Sequence, residues 1–272
     1  MLYSFILNYI KTACIVLFLV APYLVVFRML ICENVEKTEI KYIENVVSKE
    51  IFIDDLWAEI LTVSEDQLLI KKETLIKTLQ FMLQEVDEED PNLIKFVRSL
   101  ITEPPTNKEL NLEIKNKTDF SQMGQSKYID SVLKSKRGGF FIEAGGFDGE
   151  EHSNTVFFEL ERGWTGILIE PVPRNYQKLI AKNRKIYTIN ACIADNKPIV
   201  AKFRVLHVLS GRISEMSEKQ QKILDKEGKA GNTKIDSIAY IPCFSLRTIL
   251  KAINVDHVDY FLPRWDTQLR KF

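Results

Sequence analysis

Hydrophobic and polar positions fall into three successive patterns along the chain. Near the N-terminus the apolar run TACIVLFLVAPYLVVF lies between Lys11 and Arg28 and continues through Met29 to Cys32. That length approaches the ~20 residues needed to cross a bilayer, so a single membrane anchor is expected over 1–34. From Glu36 to about Asn111 the chain is charged, helical in period and free of glycine. Leu68, Leu75, Leu79, Met82 and Val86 recur on one helical face, predicting a helix over 65–86 that needs a packing partner. Another helix is expected from Pro91, a favoured first helical position, and Pro104 and Pro105 close the segment. The expectation is a helical stalk over 35–117.

After the stalk, SQMGQSKYIDSVL reads as an entry helix, and short apolar runs then alternate with helical ones. Strands are expected at 140–144, 165–169, 185–191, 200–205, 238–243 and 257–261. Helices are expected at 153–160, with Ser153 as N-cap, and at 173–183, 215–227 and 245–253. This alternation predicts an α/β fold with one largely parallel sheet over 118–272.

Candidate chemistry is concentrated where the first of those strands ends. In FFIEAGGFDGE, residues 140–150, an apolar run stops at Glu143 and meets Gly145, Gly146 and Gly149 before a polar stretch. A glycine turn between strand and helix lets backbone N–H groups approach a ligand near the positive end of the helix dipole. The spacing Glu143, Gly145, Gly149 differs from the Gly-x-Gly-x-x-Gly of nicotinamide enzymes and points toward S-adenosylmethionine. The next apolar run, in GWTGILIEP, stops at Glu170, about where doubly wound folds place a ribose-binding acid. The competing reading is that both carboxylates close strands in solvent and the glycines serve turns. Asp148 suits either the methionine portion of such a ligand or loop-turn bonding. His152 is the one histidine near the loop and a weak candidate base, the alternative being a solvated or capping side chain.

Charge and cysteine content narrow the partners. Thirty-seven basic and thirty-seven acidic residues cancel, which offers nothing for nucleic acid. Cys14, Cys32, Cys192 and Cys243 are widely spread, without metal-ligand spacing. Cys14 and Cys32 are open to S-palmitoylation or are simply apolar thiols, while Cys192 and Cys243 could pair in an oxidising lumen, a pairing for which the sequence gives no distance. A cleaved signal peptide competes with the anchor, and Lys11 against Arg28, Lys37 and Lys41 does not decide orientation. Asn116-Lys117-Thr118 is a glycosylation sequon, meaningful if the body is lumenal. The charged stretch 217–234 reads as a surface excursion, either a substrate lid or an inert insertion.

The words SQMGQSKYID, GGFFIEAGGFDGEEHSNTVFFELERGWTGILIEP, YTINACI and HVDYF agree in order with one family. From about Asp90 to Phe261 the chain resembles the FkbM family of methyltransferases, and within it the Star-like invertebrate membrane proteins. The resemblance implies a Rossmann-like methyltransferase fold. It implies S-adenosylmethionine at the ends of the first two strands, with Glu143, Gly145 and Gly149 at the methionine end and Glu170 on the ribose hydroxyls. It also implies a single-pass membrane protein of the endoplasmic reticulum and Golgi, acting in vesicle-mediated transport or escort of protein cargo. An active O-methyltransferase on a small molecule or glycan is the alternative. The family continues HVDYF with a Ser-Leu-Asp-Val-Glu-Gly type word. Here Arg264 stands at the Asp position and Asp266 at the Glu position. The expectation is therefore an incomplete domain, cut after its fourth core strand.

Overall fold

A computed structural model describes residues 72–114, 117, 119–205, 210–229 and 237–263. The expected anchor, the sequon residues Asn116 and Thr118, and Arg264 and Asp266 lie outside the described residues. Among the described residues no helix is long and apolar enough to cross a membrane.

Four parallel strands form the first sheet. They are β1 (Phe140–Ala144), β2 (Thr165–Ile169), β3 (Tyr187–Ile189) and β8 (Tyr260–Pro263), in the order β3-β2-β1-β8. The chain winds outward from β1 through β2 to β3, then returns to β1's other side. That reversal makes the carboxyl ends of β1 and β8 the switch point at which open α/β sheets bind ligands.

Helices cover both faces, which explains why all five residues of β1 are buried. Phe140, Ile142, Ala144, Ile167 and Ile169 share a core with α2 (Pro91–Leu100) and α7 (Leu246–Ala252). On the opposite face Phe141 and Leu168 pack with Phe157 and Phe158 of α4 (Val156–Arg162), Trp164, and Leu179 of α5 (Pro173–Ala181). Helix α3 (Gln125–Val132) lies along α4, tied to it by the Asp130–Arg162 pair.

Three differences from the sequence reading have physical causes. The stripe at 65–86 is described as α1 (Lys72–Leu83), and neither it nor α2 stands apart as a stalk. Phe96 and Val97 of α2 lie in the core, with Phe81 of α1 packed against it, and one unit spans Val63–Phe272. The apolar stripe finds its packing partner in the strands at 199–205 and 237–245. Asp90 starts α2 by accepting from the N–H groups of Asn92 and Leu93.

Second, the sheet is not single. The expected strand at 185–191 ends at Ile189, and after two residues β4 (Cys192–Ala194) begins another sheet. Its order is β4-β7-β5-β6, with β5 (Ile199–Val205), β6 (Gly211–Arg212) and β7 (Ser237–Ser245). β5 runs antiparallel to β7, so the expected strands at 200–205 and 238–243 are not members of the parallel sheet. Cys192 and Cys243 are register partners on β4 and β7, their Cα atoms 4.3 Å apart, and form a disulfide.

Third, helix α4 begins at Val156 with Thr155 in the cap position, not at Ser153. Ser153 is fully buried and its hydroxyl is committed to Glu143. The charged excursion carries α6 (Glu218–Lys229) and is preceded by a short 3-10 turn (Ile213–Glu215).

Candidate functional site

The glycine loop follows β1 at the switch point, and its shape comes from the residues within it. Gly145 adopts φ +85°, a region that costs side-chain-bearing residues, while its N–H donates to the Ile169 carbonyl at 2.7 Å. Gly146 is glycine for a different reason. A Cβ there would lie 2.9 Å from Leu168 Cδ2 and 3.0 Å from Leu179 Cδ1. Gly149 combines φ +81° with the same neighbour, Leu179. The latter two glycines therefore let the loop settle onto the β2 and α5 side chains.

Glu170, just past β2, is 3% exposed and braces this loop. One carboxylate oxygen accepts from the Phe147 N–H at 2.8 Å, the other from the Val172 N–H at 2.9 Å. The acid expected on a ribose thus holds the backbone of the glycine turn, a link between two loops that spacing alone could not reveal. Asp148 accepts from the N–H groups of Glu150 and Glu151, so the turn reading describes its carboxylate.

Glu143 is completely buried. Its carboxylate accepts from the hydroxyls of Ser153, at 2.8 Å, and Thr155. Arg184, itself 3% exposed, donates to both of those hydroxyls and to the Gly149 carbonyl at 2.9 Å, and pairs with Glu159 at 2.7 Å. A second buried pair joins Lys182 Nζ to Glu150 at 2.7 Å. Glu150 also accepts from the Glu113 and Ile114 N–H groups, which fastens the segment before α3 to the loop. Burial pushes the Glu150 carboxyl up, but Lys182 and the two N–H groups outweigh it and hold the carboxyl below its usual range. Burial likewise works against the Lys182 ammonium, and Glu113 and Glu150 reverse that.

The sequence reading missed Arg184, Glu159, Lys182 and Asn154. The first three look like solvated charge in their local context, and only their burial reveals them. Asn154 had a signal in the polar run Ser153-Asn154-Thr155, which helix capping seemed to explain. Its N–H faces Glu143 Oε1 at 3.4 Å and its Nδ2 donates to the His152 carbonyl at 3.5 Å. Its Oδ1 meets no donor among the described residues, although Asn154 is 7% exposed. His152 sits beyond the loop at φ +60°, its side chain 44% exposed and 3.2 Å from Glu151.

S-Adenosylmethionine would present ribose hydroxyls and an ammonium to this loop. A carboxylate closing β2 is the kind of acceptor that hydroxyls require, although the Phe147 and Val172 N–H groups already engage its two oxygens. The buried Asn154 oxygen is an acceptor suited to an N–H donor. The structure brings Glu143, Gly145, Gly146, Asp148, Gly149 and Glu170 into one loop cluster and leaves His152 at its rim. No family model matches the chain, and no curated protein or solved structure matches it either.

Proposed function

We propose that the chain is a single-pass membrane protein of the endoplasmic reticulum and Golgi whose lumenal, Rossmann-like FkbM-type domain binds an S-adenosyl ligand and serves a binding or escort role for protein cargo. The observation that carries the ligand reading is the glycine loop braced by Glu170 at the switch point between β1 and β8. The Cys192–Cys243 disulfide supports a lumenal body, because such bonds persist in oxidising compartments.

The test is calorimetric titration of the full-length chain in detergent with S-adenosylhomocysteine, which probes binding without assuming turnover. Saturable one-to-one binding is expected, lost in Glu170→Ala. A folded chain with no heat up to millimolar ligand overturns the reading. Protease treatment of microsomes carrying the chain should leave the body intact, and non-reducing peptide mapping should recover the Cys192–Cys243 link. Digestion of the whole body from outside overturns the lumenal placement.

His152 favours a second reading, an O-methyltransferase acting on a small molecule or glycan. Its side chain stands exposed at the loop's rim against Glu151, where a base could take a proton from an acceptor hydroxyl. The bound donor would supply an electrophilic methyl group. Methyl transfer from labelled donor to a glycan or small-molecule panel, abolished in His152→Gln, selects this reading over escort.

A further inference from the structure

The two sulfurs of the Cys192–Cys243 pair have different neighbours. Arg212 belongs to β6, at the opposite edge of the second sheet from β4, yet its guanidinium reaches β4 and donates from Nη2 to the Ile193 carbonyl at 2.7 Å. The same nitrogen lies 3.7 Å from Cys192 Sγ. Cys243 Sγ instead lies 3.4 Å from the Ile241 carbonyl oxygen, to which a disulfide sulfur has no hydrogen to offer. One sulfur faces a cation and the other a lone pair.

That asymmetry gives the bond a direction in which to open. Negative charge on Cys192 is held by Arg212, whereas on Cys243 it is repelled by a carbonyl oxygen that a neutral thiol there would satisfy. Arg212 Nη1 pairs with Glu215 at 2.5 Å, but its buried Nε meets no acceptor among the described residues. A donor left over in the oxidised chain is matched by a thiolate in the reduced one. Arg212 and, through it, Glu215 are the charged groups these contacts bring to Cys192, and the Glu215 side chain is 57% exposed, so water weakens its hold on the guanidinium charge.

We propose that Cys192–Cys243 is a reversible thiol–disulfide exchange site for a small thiol, with Cys192 as the leaving thiolate held by Arg212. The reagent's thiolate bonds to Cys243 Sγ, the Sγ–Sγ bond breaks, and its electron pair passes to Cys192. A second reagent thiolate attacks the reagent's sulfur in the mixed disulfide and releases Cys243, which takes up a proton and donates to the Ile241 carbonyl. Two reagent thiols are thereby oxidised to one disulfide, and the chain keeps one thiolate and one thiol. Both cysteines are fully buried, so exchange follows a local opening of β4, a strand of three residues at the sheet's edge. That requirement favours a small thiol over a folded partner. The proposal does not depend on the ligand reading above.

The test equilibrates the full-length chain in detergent with glutathione buffers of stepped redox ratio and reads the Cys192–Cys243 link by peptide mass mapping. At pH 7 Arg212→Gln, which keeps a donor for Ile193 and removes the charge, should need a ratio about tenfold more reducing to open half the pairs. Arg212→Lys, which keeps a cation, should stay near wild type. A residue that merely braces β4 gives the opposite sign, because loosening the strand makes reduction easier. Easier or unchanged reduction of Arg212→Gln therefore overturns the proposal. If Arg212→Gln does not fold, the reduced wild-type chain decides: alkylation of Cys192 by iodoacetamide should persist at pH 6.5, while that of Cys243 falls away below about 8.5, the ordinary thiol value. Identical pH profiles for the two cysteines overturn the assignment. A folded wild-type chain whose pair stays closed at every glutathione ratio overturns the exchange site itself.

Discussion

The two ends of the parallel sheet are held by carboxylates in different ways. At the amino end Asp259 clasps β1 from the approach to β8. It accepts from the Phe140 N–H at 2.9 Å, its own N–H donates to the Phe140 carbonyl at 2.9 Å, and Lys136 and His257 approach from solvent. At the carboxyl end Glu143, Glu150 and Glu170 are all at most 4% exposed and together fasten residues 113–114, 147, 153–155 and 172. A fold needs its strands fastened at both ends, but burying three carboxylates and two cations at one of them is costly. Desolvation of each ion is recovered only when geometry and hydrogen bonding are near complete. The amino end shows that a half-solvated latch is enough to hold strands together. The buried network must therefore be accounted for by the loop it shapes, a polypeptide turn held rigid where a ligand would sit.

The comparison breaks most visibly at Arg184. Arg184→Met removes the guanidinium from Glu159, Ser153, Thr155 and the Gly149 carbonyl and strands a buried carboxylate. A loss of about 3–5 kcal/mol is expected in urea denaturation. The matching change at the amino end, Lys136→Met, leaves Asp259, its side chain 10% exposed, with the Phe140 N–H and the exposed His257. A loss below about 1 kcal/mol is expected there. Equal losses would show that the two ends do not differ in the way described.

Glycines sharpen the same contrast at smaller amplitude. Gly146→Ala places a Cβ within 3.0 Å of both Leu168 and Leu179, an overpacking that costs about 1–3 kcal/mol. Gly138, just before β1, has φ +67°, and a methyl group added there would meet nothing within 4 Å, so Gly138→Ala bears only the backbone penalty of roughly 1 kcal/mol. Thermal melts of the two variants should rank accordingly. Their second readout is S-adenosylhomocysteine affinity, which falls for Gly146→Ala alone.

How much of this was legible beforehand depends on range. Local periodicity located β1 and β2 to the residue, because Phe140–Ala144 and Thr165–Ile169 are apolar runs bounded by glycine and carboxylate. It did not reveal that 199–205 and 237–245 leave the parallel sheet. An antiparallel partner changes hydrogen-bond direction without altering the apolar pattern of either strand. The site was read in the same partial way. Glu143, Gly145 and Glu170 were visible as punctuation at strand ends, but that Glu170 holds Phe147 and Arg184 holds Ser153 are contacts across 23 and 31 positions. Charge alone could not mark Lys182 as buried, since nothing in NRK or AKN separates it from its solvated neighbours. Asn154 was hidden because a polar residue ahead of a helix already had a sufficient local explanation.

The smallest expected effect is the pH response of the amino-end latch, and its sign follows from the direction of the shift. Burial pushes the Asp259 carboxyl up, but Lys136, the Phe140 N–H and His257 more than offset this and bring it down to about 2, from an ordinary 3.8. A carboxyl whose pKa is lower folded than unfolded binds its proton more tightly when unfolded, so stability rises with pH across that interval. The latch contributes in full above about pH 4 and is lost as pH falls through about 2. Because Lys136 is half exposed, salt screens part of the interaction, and about 1 kcal/mol is a fair size for it. Urea titrations at pH 5 and pH 2.5 on wild type and Asp259→Asn give four stabilities. Asp259→Asn should be less stable by about 1 kcal/mol at pH 5, and the gap should narrow at pH 2.5. The same experiment on Glu150→Gln tests the other end. Its carboxyl is held low by a buried ammonium, so its gap at pH 5 should be the larger of the two. A larger gap for Asp259→Asn would reverse the assignment of the costly, shape-setting charges to the glycine-loop end.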